Sequence, residues 1–214
     1  LLERSNKGVT PTEIGNLVFE YGLKMVTLAE NLRKDVAQRN SVQTELTVAA
    51  SSTIGQFALP CTLYIFHERY PDSKIITKSS NTREAIELTL NGSVDFSILE
   101  GPINDDDKQK LKEEGIALQR IARDDLIIIA PCNDTWAEIE EISIQEFMNL
   151  QWIFREKGSG VRSTIESKLV QEGLDPSKLK ISMELDQTSS IVSSVASERG
   201  LSMVPRLAVK KELH

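Results

Sequence analysis

Three short stretches carry groups able to grip a small polar molecule. Ser51-Ser52-Thr53 sets three hydroxyls in a row directly after the apolar run Leu46-Thr47-Val48-Ala49-Ala50. Gly158-Ser159-Gly160 places a hydroxyl between two glycines just ahead of a helical pattern, so its amides and Ser159 can cradle an anion. Glu100 closes a further run, Val94-Asp95-Phe96-Ser97-Ile98-Leu99, and brings an acceptor to the same kind of position. Arg155 and Arg162 flank the glycine loop and supply positive charge. Each feature also has a plainer reading: Ser and Thr cap helices, Gly-Ser-Gly forms tight turns, and Arg162 can be solvated. One such loop in each half of the chain is what a two-sided cleft requires. Glu100 opposes an anion by charge, unless it accepts hydrogen bonds from the ligand or pairs with Arg155.

No catalytic constellation accompanies these groups. His67 lies beside Glu68 and Arg69, and His214 ends the sequence; neither has a Ser or Cys partner in a nucleophile frame. A phosphate-binding loop, a dinucleotide fingerprint and an HExxH motif are all missing. Asp105-Asp106-Asp107 precedes Lys108 and Lys110 and reads as the acidic start of a solvated helix rather than a metal site. Cys61 and Cys132 are far apart, in apolar contexts and without metal-ligand spacing, so both are expected to be buried free thiols. The reading is therefore a binding protein and not an enzyme, with no catalytic residues, no metal and no cofactor.

The elements that must hold the cleft alternate. Strand patterns at 46–50, 74–77 and 94–99 are separated by helices towards Glu68 and over 82–90, the latter closed by Asn91-Gly92. That is βαβαβ, a parallel sheet with helices on its faces. The second half repeats the architecture: strands at 126–130, 152–154, 180–184 and 201–204, with helices near 143–149, 161–173 and 189–199. The fold class is thus α/β, two Rossmann-like lobes with crossovers near 121–125 and 204–206. Such sheets bind ligands beyond their C-terminal strand ends, where the three stretches lie.

Ahead of the lobes stands a long helix over about residues 11–39, roughly 40 Å at 1.5 Å per residue. Thr10 is its expected N-cap, Pro11 its first residue and Glu13 the capping-box acid. Ile14, Val18, Tyr21, Met25, Leu28 and Leu32 follow at spacings of four, three, four, three and four, an a/d seam. Leu17 and Leu23 widen it slightly, but a core-facing stripe is wider still, so pairing with another chain is favoured. Before the helix, Arg4 and Lys7 sit in a short polar turn, either a solvated loop or a wing whose cations lie along DNA.

With 214 residues and a net charge of -7, the chain does not read as a generally DNA-coating surface, though a local basic head is compatible with it. No apolar run reaches the roughly 20 residues of a membrane span, and the first residues lack a leader's apolar region. A cytoplasmic location and no membrane partner are expected.

With these pieces placed, the sequence resembles the LysR-type transcriptional regulators along nearly its whole length. Leu2-Glu3-Arg4-Ser5-Asn6-Lys7-Gly8-Val9 and Thr12-Glu13-Ile14-Gly15 look like that family's wing and linker helix, with Pro11 in place of a residue usually apolar. Leu59-Pro60, Phe66-x-x-x-Tyr70-Pro71 and Asn91-Gly92-Ser93-Val94-Asp95 resemble the first regulatory lobe. Arg155 to Arg162, Glu198-Arg199-Gly200-Leu201 and Val204-Pro205 resemble the second. The resemblance implies a remnant of a winged helix-turn-helix (1–10), a linker or dimerisation helix (11–40) and two lobes of the type II periplasmic-binding-protein kind. Lobe I would take 45–121 and 206–214, lobe II 122–205. It further implies a homodimer or homotetramer, promoter DNA as partner of the full-length protein, and a small, anionic effector between the lobes. Ser51, Ser52, Thr53, Glu100, Arg155, Ser159 and Gly160 are the expected effector residues, and Arg4 and Lys7 the DNA-binding ones. Glu100 departs from the hydroxyl found there in members sensing sulfur-assimilation anions. Within the family's frame the chain begins in the wing, so specific operator binding by this chain alone is not expected. A solute-binding protein for a small anion is the alternative; it leaves the wing-like start and the seam unexplained.

Overall fold

The computed structural model describes residues 1–5, 8–39 and 44–209. The chain opens with a hairpin, β1 (Leu2–Ser5) and β2 (Gly8–Pro11), paired antiparallel with Leu2 opposite Pro11. Helix α1 (Glu13–Arg39) follows. Thr10 and Pro11 are therefore strand residues, and the expected cap moves to Thr12, whose hydroxyl accepts the Gly15 amide at 3.0 Å. The reason is the hairpin: pairing with β1 holds Thr10 extended, and a proline is tolerated on an edge strand. Thr12 also donates its amide to the Leu1 carbonyl at 2.9 Å. A Cβ on Gly15 would fall 2.0 Å from that same oxygen, so only glycine lets the helix pass beneath the hairpin.

Two faces of α1 have different fates. Lys24, Thr27 and Asn31 meet the first lobe: Lys24 pairs with Glu114 at 3.1 Å, Thr27 is buried, and Asn31 donates to the Gly92 carbonyl at 2.9 Å. The seam from Ile14 to Leu32 points elsewhere, and its six residues stay between 51% (Val18) and 69% (Leu28) exposed.

The first lobe contains β3 (Thr44–Ser51), a π-helical turn (Ile54–Ala58) leading into α2 (Leu59–Arg69), and β4 (Ser73–Ser80). Helix α3 (Thr82–Leu90), β5 (Phe96–Ile98) and α4 (Asp105–Glu113) complete it. Its sheet is parallel, in the order β4-β3-β5, with Ala49, Ala85 and Val94 buried together beneath Leu88 and Leu99. Asn104 caps α4, so the aspartate run is a helix start as expected.

In the second lobe the order is β6 (Leu126–Ile129), α5 (Asp134–Ala137), α6 (Ile144–Asn149), β7 (Gln151–Arg155) and α7 (Gly160–Gln171). Strand β8 (Lys180–Leu185), α8 (Thr188–Ala196), β9 (Ser202–Pro205) and a 3-10 turn (Arg206–Val209) follow. β7 and β8 run parallel, whereas β6 and β9 pair antiparallel, a departure from simple repetition of the first lobe. These two are the strands by which the chain enters and leaves the lobe. Arg206 and Leu207 bind back to Asp125 and Asp124, tying the crossovers together. The core gathers Phe147, Trp152, Phe154, Ile165 and Leu169 on one side, and Ile153, Ile191, Val204 and Val209 on the other. Residues 210–214, part of the segment assigned to lobe I, lie outside the described residues.

The cysteines correct the expectation. Cys61 and Cys132 are both exposed free thiols: α2 buries Leu59 alone, and Cys132 sits in the turn after β6.

Candidate functional site: the cleft between the lobes

Strands β4 and β5 lie on opposite sides of β3, so their connections leave in opposite directions and open a crevice at the C-terminal edge. Ser51 and Ser80 end neighbouring strands in register, and Glu100 follows β5 at the same edge. The chain turns helical at Ser52 and Thr53. Opposite them, β7 delivers Arg155 and the glycine loop delivers Ser159 at the start of α7.

Three buried hydroxyls here, those of Ser52, Ser80 and Ser159, have no hydrogen-bond partner, and Ser51 has only the Glu100 carboxyl beside it. Ser159 holds the N-cap position of α7 and is 1% exposed, yet its side chain makes no capping bond. A buried polar group left unpaired costs about 1–3 kcal/mol, so their concentration on one crevice marks it as a place for polar ligand atoms.

The two sides touch through polar bonds. Thr53 and Thr188 share a hydrogen bond of 2.9 Å between their hydroxyls, and Arg155 Nη1 donates to Thr188 at 3.0 Å. Gln56 donates to the Gln187 side chain and accepts the Ser189 amide at 3.3 Å. The Gly160 amide donates to the Thr82 hydroxyl at 3.2 Å, and that hydroxyl donates to the Glu100 carbonyl at 2.9 Å. Backbones approach so closely that a Cβ on Gly160 would lie 1.8 Å from the Glu100 carbonyl, and one on Gly101 2.3 Å from that of Gly160.

Charge is largely committed. The Arg155 guanidinium is buried and holds Glu156 through Nε at 2.8 Å and Nη2 at 3.1 Å. Arg162 is buried too, but serves Glu166 at 2.8 Å, Glu184 at 2.9 Å and the Arg155 carbonyl at 3.0 Å. Burial pushes the Glu100 carboxyl above its ordinary pKa, against the Thr53 hydroxyl, the charge of Arg155 and the nearby Ser51. Asp124 adds to the rise.

The crevice thus brings together Ser51, Ser52, Thr53, Glu100, Arg155, Ser159 and Gly160. Sequence reading missed Ser80, Thr82, Gln56, Glu156, Gln187 and Thr188. Ser80-Asn81-Thr82 has the same form as Ser51-Ser52-Thr53, a polar triplet between strand and helix, and that form was the available signal; the Asn81–Glu84 capping box uses only its middle residue. Thr188 offered no signal beyond its place at the start of α8. Arg4 is exposed on β1 opposite Val9, in the hairpin ahead of α1, and Lys7 lies outside the described residues.

Residues 39–214 match the family described as the LysR substrate binding domain. The chain belongs to the LysR-type transcriptional regulators. It is 30% identical to a probable RuBisCO transcriptional regulator of Gracilaria tenuistipitata var. liui, the match covering 100% of this chain and 68% of that protein. The HTH-type transcriptional regulator CysL of Bacillus subtilis is similar to the same degree, 30% over 100% of this chain and 68% of its own. The regulatory domain of Synechocystis CcmR, solved with 2-PG, superposes with a TM-score of 0.64 at 23% identity, over 77% of this chain and 74% of that one. That likeness places this LysR-type chain in the two-lobed α/β fold. The family consists of regulators and not enzymes. No helix among the described residues is long and apolar enough to cross a membrane.

Proposed function

We propose that the chain is the sensing and pairing part of a cytoplasmic regulator. Its cleft binds a small anionic effector, and α1 joins two copies into a dimer or a tetramer that carries DNA-binding heads. The observation that carries this is the set of three unpartnered buried hydroxyls, those of Ser52, Ser80 and Ser159, contributed by both lobes where Thr53 and Thr188 join them. Ser51, Ser52, Thr53, Glu100, Arg155, Ser159 and Gly160 form the effector site in this reading. A neighbour solved with 2-PG supports a small-molecule role for the fold. The β1–β2 hairpin is read as the wing, with Arg4 and Lys7 towards DNA, followed by the linker helix (11–40), lobe I (45–121 and 206–214) and lobe II (122–205). Effector held between the lobes favours one closure angle, and the oligomer presents its DNA-binding heads at a different spacing.

Calorimetry against phosphorylated, sulfated and carboxylated metabolites tests the site. Ser159→Ala and Thr53→Ala should each lose the best ligand, and unchanged affinity in both would refute the assignment. Footprint length on promoter DNA with the full-length regulator, with and without ligand, tests the population shift.

A further inference from the structure

The cleft's supply of charge narrows what can enter it. Arg155, the cation on its wall, gives Nε and Nη2 to Glu156 and Nη1 to Thr188. The buried Arg162 is likewise taken up by Glu166 and Glu184. On the facing side stands the Glu100 carboxyl, beside the Thr53 and Ser51 hydroxyls and within the field of Asp124. A doubly charged anion would therefore meet hydroxyls and amides but guanidinium charge already balanced by Glu156, Glu166 and Glu184, and acids would face it.

Each part still has a use. Ser52 and Ser159 hold unpartnered buried hydroxyls at two helix starts. Because Ser159 does not cap α7, the first-turn amides of Val161 and Arg162 also remain for a negative group. A carboxylate, by contrast, accepts hydrogen bonds and donates none. Glu100 already accepts from the Thr53 and Ser51 hydroxyls, and its remaining lone pairs can take a donor from the ligand but offer it none.

We propose that the effector is a singly charged acid bearing an adjacent hydrogen-bond donor, a hydroxyl or an amine. Its acidic group is held by Ser52, Ser159 and the α7 amides, and its donor is held by Glu100. This rests on the cleft being the effector site and adds that Glu100 sets the specificity. Divalent oxyanions are excluded by the same carboxylate.

The test uses the whole chain with four small probes, L-glycerate, L-serine, propionate and inorganic sulfate, followed by calorimetry and by NMR amide shifts in the cleft. Glycerate or serine should bind at least about tenfold more tightly than propionate or sulfate, the worth of one hydrogen bond to a charged group. Which of the two wins separates a hydroxyl from an amine. Glu100→Gln, which keeps an acceptor without the charge, should let sulfate in while retaining part of the advantage; Glu100→Leu, of similar size but unable to accept a hydrogen bond, should let sulfate in and erase the advantage. Sulfate or propionate matching both donors in the wild type overturns the proposal, as does an unchanged ranking in Glu100→Leu or no cleft shift with any probe. Ser159→Ala separates the levels. If it leaves probe binding intact, the cleft reading itself falls; if it abolishes binding while the ranking is flat, only the donor requirement falls.

Discussion

Thr53 of the first lobe and Thr188 of the second meet hydroxyl to hydroxyl at 2.9 Å, and both side chains are fully buried. Closure of the cleft is thus sealed by hydrogen bonds rather than by an apolar interlock. Exchanging one hydroxyl partner for another changes free energy little, because the bond lost and the bond gained are alike. A ligand can insert at such a contact without dismantling either core.

Removing one member of the pair should be felt. Thr188→Val leaves the Thr53 hydroxyl and Arg155 Nη1 without their partner in a buried site. Unfolding in urea is expected to show a loss of about 1–3 kcal/mol. A midpoint unchanged from wild type would mean that the contact does not persist in solution.

Glu100 predicts a pH dependence of definite sign. Its carboxyl titrates above the usual 4.5 because of burial, so the folded state binds a proton more tightly than the unfolded chain does. Between 4.5 and the raised value the native state holds more protons, and stability from this group falls as pH rises. Above the raised value the full penalty persists, and below 4.5 it vanishes. Glu100→Gln should therefore raise the melting temperature at neutral pH, with the gain shrinking as the pH drops through that window. A gain independent of pH would show that ionisation is not its source.

The lobes were legible because parallel strands announce themselves as apolar runs separated by helix caps. The cleft residues at strand ends followed from topology, since a parallel sheet places Ser51 and Glu100 on one edge. Charge pairing was not legible. That Arg155 turns to Glu156, its sequence neighbour, and not to Glu100 depends on side-chain direction at the end of β7. Thr188 was hidden for a similar reason, as only packing of α8 against the first lobe gives its hydroxyl a role. The helix cap was misplaced by two residues because Thr10-Pro11-Thr12-Glu13 fits either start, and only the strand pairing with β1 decides.

Gly160 is fixed by close approach. Its missing Cβ leaves room for the Glu100 carbonyl, which would otherwise lie at 1.8 Å, and for the Thr82 hydroxyl at 2.6 Å. The first obstacle is backbone and cannot swing aside, so Gly160→Ala must part the lobes there. Overpacking of this kind costs about 1–3 kcal/mol, and the thermal midpoint should fall accordingly. Effector binding should weaken with it. Retention of both would show that the lobes stand further apart in solution.

The last expectation concerns α1, where two neighbouring faces are put to different uses. Asn31 and Lys24 bond the helix to its own lobe, and the seam through Met25 and Leu28 lies roughly 80–90° away at 3.6 residues per turn. Met25 and Leu28 are 65% and 69% exposed, and burying a side chain of this kind fully stabilises by about 1.5–3 kcal/mol. Six such residues repeated on a second copy give ample drive for pairing. Leu28→Asp sets a charge in the middle of the seam without touching the Asn31–Gly92 bond. Sedimentation velocity should then show the wild type as a dimer or larger and the variant shifted towards monomer, with helical circular dichroism retained. A variant that sediments as the wild type does would remove the seam from the interface and assign the pairing to another surface of the lobes.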